Sequence, residues 1–62
     1  TGRSFTQLLA HIRIERAKKM LRNPTFRVLE ICEAVGYRDY IQFYRIFKNE
    51  VGCSPTDFRN SL

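Results

Sequence analysis

Residues 35 to 45 read VGYRDYIQFYR, and this stretch places a sharp turn between two short runs of periodic apolar residues. The run before the turn has the i, i+3, i+4, i+7 spacing of one helix face and consists of Val28, Ile31, Cys32 and Val35. Gly36 follows this run. Glycine adopts the left-handed backbone conformation at the least cost, and that conformation can end a helix. The pattern therefore predicts a first short helix over residues 28–35 and a turn directly after it.

The run after the turn predicts a second helix over residues 39–51. Asp39 is a suitable N-cap for this second helix, and Gly52 is expected to end it. The apolar side of this helix is formed by Tyr40, Phe43, Ile46, Phe47 and Val51. Ser54 as a cap with Pro55 in the first turn then predicts a last short helix over residues 55–60.

A longer helix is expected upstream, over residues 5–22. Ser4 and Gln7 have the form of a capping box, and Asn23 with Pro24 stops the helix. At about 100° per residue its apolar side chains form two faces roughly 140° apart. The first face consists of Phe5, Leu8, Leu9 and Ile12. The second consists of Ala10, Ile14, Ala17, Met20 and Leu21.

Each apolar face of this helix needs another part of the protein, or a partner, to pack against it. The second face can be covered by the helices that follow in this chain. For the first face we expect either an upstream part of a larger domain or a second copy of the chain. A single broad face packed on a short bundle is the remaining alternative.

A short helix, a glycine-containing turn and a second helix, with a small residue four positions before the glycine, are typical of the helix-turn-helix motif. The packing residues that this predicts are Ile31, Cys32, Val35, Gly36, Tyr37, Phe43, Ile46 and Phe47. Residues 1–62 then form an all-α helix-turn-helix subdomain of three to four helices that begins with a long N-terminal helix. In such a motif the second helix protrudes and fits the major groove of B-DNA.

The face of the second helix opposite its apolar side supplies candidate base contacts. Arg45 can bind guanine O6 and N7, Gln42 can read adenine, and Ile41 can contact a thymine methyl group. The candidate DNA backbone contacts are Arg27, Arg38, Tyr40, Tyr44, Lys48 and Asn49. The amide ends of both short helices are also expected to bind phosphate. The structural alternative for all of these side chains is an ordinary solvated surface.

Charge alone does not point to the turn. The net charge is +5 and the pI about 9.8, which suggests a polyanionic partner. Residues 1–31 carry all of this excess, while residues 32–62 balance at zero. Lys18, Lys19 and Arg22 are interpreted as a solvated helix surface that a partner or the DNA backbone could also use.

Several functional classes are excluded by the sequence. His11 has no motif-spaced Ser, Cys or carboxylate, and there is no glycine-rich phosphate loop, so we expect neither an enzyme nor a cofactor. Cys32 and Cys53 lack zinc-site spacing and are expected as buried thiols, with a disulfide as the alternative. No apolar stretch is long enough to span a bilayer and no leader opens the chain, which favours a soluble intracellular protein.

The sequence resembles the AraC/XylS family of bacterial transcription regulators, in the second half of its two-part DNA-binding domain. The resemblance rests on four strings: RIERAK at 13–18 with ML at 20–21, ICEAVGY at 31–37, FYRIFK at 43–48, and GCSPTDFR at 52–59. Departures from the family pattern are Arg27 in place of a capping Ser, Cys32 in place of Ala, and Ile41 where a polar residue is common.

The resemblance implies two helix-turn-helix units joined by the long helix, each reading one major-groove segment of double-stranded DNA. The Phe5 end of the helix would then pack on a missing upstream unit. It also implies a bacterial, cytoplasmic, nucleoid-associated protein in which a separate sensory domain sets activation. The alternative function is a protein-interaction module, in which the first helix meets another copy, RNA polymerase or another acidic partner.

Overall fold

The computed structural model describes residues 4–62 and contains four helices in this part of the chain. They are α1 (Phe5–Leu21), α2 (Val28–Ala34), α3 (Tyr40–Val51) and α4 (Pro55–Asn60). Each differs from its predicted range by at most one residue at either end. The predicted all-α fold class is confirmed.

Local capping explains where three of these helices begin. Ser4 and Gln7 form a full capping box at α1, with the Gln7 amide donating to Ser4 Oγ at 3.1 Å. Asp39 accepts from the Ile41 amide at 3.0 Å, and Ser54 accepts from the Asp57 amide at 3.1 Å. The start of each helix is thus fixed by side chains within four residues of it.

The start of α2 is stabilised by a side chain inside the helix and not by the side chain of its N-cap residue. Arg27 occupies the N-cap position, and its side chain makes no capping hydrogen bond because a guanidinium has no acceptor. Glu30 replaces that bond from within the first turn, where its carboxylate accepts from the Arg27 amide at 2.8 Å. Half of a capping box is therefore enough to begin this helix.

The core lies along one side of α1, which packs against all three of the other helices. The buried side chains of the hydrophobic cluster are Ile14, Ala17 and Leu21 from α1, Ile31 and Cys32 from α2, Val35 and Tyr37 from the turn, and Phe43 and Phe47 from α3. Pro55 at the start of α4 is also buried. Met20 and Ile46 are partly buried and pack against this cluster. The second apolar face predicted for α1 is thus the one that enters the core.

The first apolar face of α1 points to solvent. Phe5 is 79% exposed, Leu8 46% and Ile12 48%, while Leu9 is half-buried. The alternative of a single broad face packed on a short bundle is therefore wrong. Both cysteines are free, with Cys32 buried and Cys53 half-buried, so the alternative of a disulfide is also wrong.

Candidate nucleic-acid interface

The turn between α2 and α3 is fixed by two hydrogen bonds between Cys32 and Tyr37. The Tyr37 amide donates to the Cys32 carbonyl at 3.0 Å, and the Cys32 thiol donates back to the Tyr37 carbonyl at 3.4 Å. Gly36 between them has φ +109°, a conformation that side-chain-bearing residues rarely adopt. The small residue and the glycine that predicted the motif are thus both used at the crossing of the two helices.

Burial raises the pKa of the Cys32 thiol, and the nearby carboxylates of Glu33 and Asp39 raise it further. A raised pKa keeps the thiol protonated, so it can donate to the Tyr37 carbonyl. It also makes Cys32 a poor nucleophile and a poor metal ligand. Cys32 therefore serves packing and the geometry of the turn.

Arg13 reaches this turn from α1. Its guanidinium carbon lies 5.1 Å from the centroid of the Tyr37 ring, within the range of a cation–π contact. The same group covers Gly36, since a Cβ built there would lie 3.2 Å from Arg13 Cζ. Sequence reasoning missed this contact, because the basic residues of α1 carry no local signal that one of them turns inward.

The outward face of α3 carries five exposed residues. They are Ile41, Gln42, Arg45, Lys48 and Asn49. At about 100° per residue, Arg45 falls in the middle of this set, opposite the buried Phe43 and Phe47. The candidate base contacts therefore share one surface, with the longest hydrogen-bonding side chain at its centre.

The one carboxylate within α3 is turned away from that surface. Glu50 Oε1 lies 3.3 Å from Nδ1 of His11 on α1. Sequence reasoning found no carboxylate for His11, because these two residues are 39 positions apart. In residues 4–62, Arg45 makes no ion pair, so its guanidinium faces solvent without a competing carboxylate.

Tyr40 and Tyr44 are half-buried and contribute to packing as well as to the surface. Their ring centroids lie 6.2 Å apart, and Tyr40 also packs 6.3 Å from Phe43. Lys48 Nζ lies 6.0 Å from the centre of the Tyr44 ring. Only part of each tyrosine is therefore open to a phosphate, whereas the end of Lys48 is exposed.

Arg27 and Arg38 are both exposed, at the start of α2 and just before α3. The expectation that the amide ends of these helices bind phosphate is not supported, because each end already holds a carboxylate. Glu30 accepts from the Arg27 amide, and Asp39 accepts from the Ile41 amide. A phosphate would meet these negative charges, so the arginine side chains are the better candidates.

Within the part of the chain that the structure describes, no group of His, Cys, Asp and Glu residues could hold a metal ion. Among the same residues, no helix is both long and apolar enough to cross a membrane.

The chain is similar to known proteins over nearly its whole length. A family model described as a helix-turn-helix domain, of the AraC/XylS type, matches residues 1–61. The Msm operon regulatory protein of Streptococcus mutans is 34% identical over 62 residues, which cover 100% of this chain and 22% of that protein. No solved structure matches the chain.

Two further relatives are also bacterial. The MmsAB operon regulatory protein of Pseudomonas aeruginosa is 37% identical over 62 residues, covering 100% of this chain and 20% of that protein. The uncharacterized HTH-type transcriptional regulator YobQ of Bacillus subtilis is 39% identical over 64 residues, covering 100% of this chain and 26% of that protein. The chain thus spans about a fifth to a quarter of the length of these relatives.

Proposed function

The chain belongs to the AraC/XylS-type helix-turn-helix family of transcription regulators, and from that premise we propose that α3 is a recognition helix that enters the major groove of double-stranded DNA and reads its sequence. The domain of this family serves DNA binding in transcription regulation. Because the chain spans only part of its relatives, we propose further that it is one of two helix-turn-helix units, with α1 as the linker between them.

The observation that carries the proposal is the outward face of α3. Among residues 4–62 Arg45, at the centre of this face, has no carboxylate partner, and Glu50 is turned back to His11. A guanidinium free of an ion pair can make the bidentate contact with guanine O6 and N7. Gln42 beside it suits adenine, and Ile41, which is 59% exposed, offers an apolar contact for a thymine methyl group.

Further residues on this face and beside it suit the DNA backbone. The proposed phosphate contacts are Arg27, Arg38, Tyr40, Tyr44, Lys48 and Asn49. Contacts of this kind orient a protein on the duplex without reading its sequence. With about three to five of them made at once, we expect the logarithm of the affinity to fall with the logarithm of salt concentration at a slope of about −3 to −4.

The experiment is a selection from a randomised duplex library, followed by binding measurements on the selected duplex and on mixed-sequence DNA. Arg45→Ala should weaken binding to the selected duplex by roughly 5- to 150-fold, which corresponds to about 1 to 3 kcal/mol. Binding to mixed-sequence DNA should change much less. Arg16→Ala on α1 removes the same charge from an exposed residue outside the proposed interface and is the matched control.

Two results would contradict this proposal. Equal losses for Arg45→Ala on both duplexes would place Arg45 on phosphate alone. If the chain selects no particular duplex sequence, this unit alone does not bind DNA sequence-specifically.

A second candidate function is supported by the exposed apolar face of α1. Phe5, Leu8 and Ile12 lie open to solvent there, and an exposed apolar patch commonly marks a protein interaction site. We propose that this face packs against the upstream helix-turn-helix unit, with a second copy or RNA polymerase as the alternative partners. Leu8→Asp should abolish any self-association measured by sedimentation, and an unchanged mass distribution would exclude self-association through this face.

A further inference from the structure

We propose that Arg13 is a positioning residue for the recognition helix, acting from α1 through Tyr37 and Phe43. That this positioning serves DNA reading rests on the function proposed above. The effect of Arg13 on the orientation of α3 depends only on the packing around the turn and can be tested without DNA.

The first step is the contact between Arg13 and the turn. The guanidinium covers two successive residues, with Cζ 5.1 Å from the Tyr37 ring centroid and Nε 3.2 Å from the place where a Cβ of Gly36 would lie. A Cβ at this position would be in a tighter contact than is usual, so the guanidinium would have to move away by a few tenths of an ångström. The glycine therefore serves the approach of Arg13 as well as the positive φ of the turn.

The second step is the contact between the turn and α3. The Tyr37 ring lies 5.9 Å from the Phe43 ring, and both side chains are buried, at 5% and 0% exposure. Phe43 packs in turn on Phe47, with ring centroids 5.7 Å apart. Closely packed rings transmit a displacement, because the interior has no free volume to absorb it. A shift of Tyr37 therefore changes the angle at which α3 presents Arg45.

The surroundings of Arg13 leave its guanidinium available for these contacts. Its side chain is half-buried, and within residues 4–62 it has neither a hydrogen-bond acceptor nor a carboxylate partner. Its guanidinium therefore contacts the Tyr37 ring and Gly36 without a competing ion pair from residues 4–62. Arg16 on the same helix is exposed and also without an ion pair in that range, which makes it a matched control for the loss of a positive charge from α1.

The first experiment compares backbone amide chemical shifts of the chain without DNA. Arg13→Ala should move the amides of the turn, residues 35–39, together with those around Phe43 and Arg45. Arg16→Ala should move only amides of α1. Shifts confined to α1 in both variants would overturn the proposal, and a melting curve for each variant ensures that folded chains are compared.

The second experiment measures binding to the duplex selected by the wild-type chain and to mixed-sequence DNA. Arg13→Ala should weaken binding to the selected duplex by roughly 3- to 10-fold, the size expected from one cation–π contact. Its salt dependence should equal that of the wild-type chain. A slope smaller by about 0.9 would identify Arg13 as a phosphate ligand and overturn the positioning role.

A double-mutant cycle separates positioning from general loss of stability. In a Tyr37→Leu background the ring is absent, so Arg13→Ala should cause no further loss of affinity. Arg13→Lys should recover part of the wild-type affinity, because an ammonium group can still lie over the Tyr37 ring. Additive losses in the cycle would overturn the proposal. Arg45→Ala in the same assay reports on the proposed function separately, and a wild-type chain that selects no duplex would overturn that function while the amide shifts still decide the role of Arg13.

Discussion

The guanidinium of Arg59 on α4 covers the C-terminal end of α1, where its Nε donates to the Leu21 carbonyl at 3.0 Å. Nη2 of the same side chain donates to the Asn23 carbonyl at 3.2 Å. The last carbonyls of a helix have no partner within it. A single side chain from the end of the chain therefore caps α1 and holds α4 against it.

Replacing Arg59 should destabilise the fold. We expect Arg59→Ala to lower the free energy of unfolding by about 1 to 3 kcal/mol, since two hydrogen bonds to a charged donor are lost and α4 loses an anchor. Urea denaturation measures this change. Arg16→Ala, which removes an exposed arginine, should lie within about 0.5 kcal/mol of the wild-type value. Equal losses for both variants would show that Arg59 contributes only its charge.

The two glycines with positive φ should respond differently to alanine. Gly36 has φ +109° and Gly52 has φ +98°, so either substitution should cost about 1 to 2 kcal/mol of conformational strain. At Gly36 the new Cβ would meet Arg13, whereas at Gly52 no atom of residues 4–62, apart from the neighbouring residues in the chain, lies within 4 Å of it. Gly36→Ala should therefore destabilise more.

In an Arg13→Ala background the two glycine substitutions should cost the same free energy of unfolding. Thermal or urea unfolding of the four variants measures this difference. A difference that persists without Arg13 would place its cause in the turn backbone.

Tyr37→Phe should leave the free energy of unfolding unchanged or raise it by up to about 1 kcal/mol. The Tyr37 hydroxyl is buried and has no hydrogen-bond partner within residues 4–62, and an unpaired buried polar group is unfavourable. Phenylalanine keeps the ring that packs on Phe43 and lies under Arg13. A loss above 1 kcal/mol would instead show that an ordered water satisfies the hydroxyl.

The buried thiol of Cys32 predicts a loss of stability at alkaline pH. Burial raises its pKa in the folded chain above the ordinary value, so the folded state holds the proton more tightly than the unfolded state. This stabilisation is fully present below the unfolded-state pKa of about 8.5 and is lost as pH rises through the folded-state pKa.

The measurement is the difference in free energy of unfolding between the wild-type chain and Cys32→Ala as a function of pH. The difference should be constant up to about pH 8. Above that pH the wild-type chain should lose stability relative to the alanine variant. A difference that stays constant to pH 10 would mean that the thiol is not titrating in this range. Comparing the two variants cancels the contribution of every other group, because both chains share it.

The local signals in the sequence were sufficient for the elements and for the turn. Ser4, Asp39 and Ser54 cap their helices as expected, and Gly36 lies at the turn with positive φ. These features depend on residues a few positions apart, so spacing alone reveals them. The same holds for the outward face of α3, because the period of a helix fixes which residues lie opposite its buried side.

The contacts that the sequence did not reveal all join distant parts of the chain. Arg59 and Leu21 are 38 positions apart, and His11 and Glu50 are 39. Nothing in the spacing of charged residues says which of eleven Lys and Arg side chains turns inward. Such pairs are decided by how the helices cross, and that depends on the shape of the whole core. The roles of Arg45, Gln42 and Ile41 on DNA stay predictions.

The position of α1 as common packing partner bears on the order in which the chain folds. Helices of seven, twelve and six residues, the lengths of α2, α3 and α4, are too short to persist alone in water. Each packs against α1, which has 17 residues and precedes them. During synthesis α1 therefore leaves the ribosome before the other three helices. Each later helix can pack against α1 as soon as it emerges.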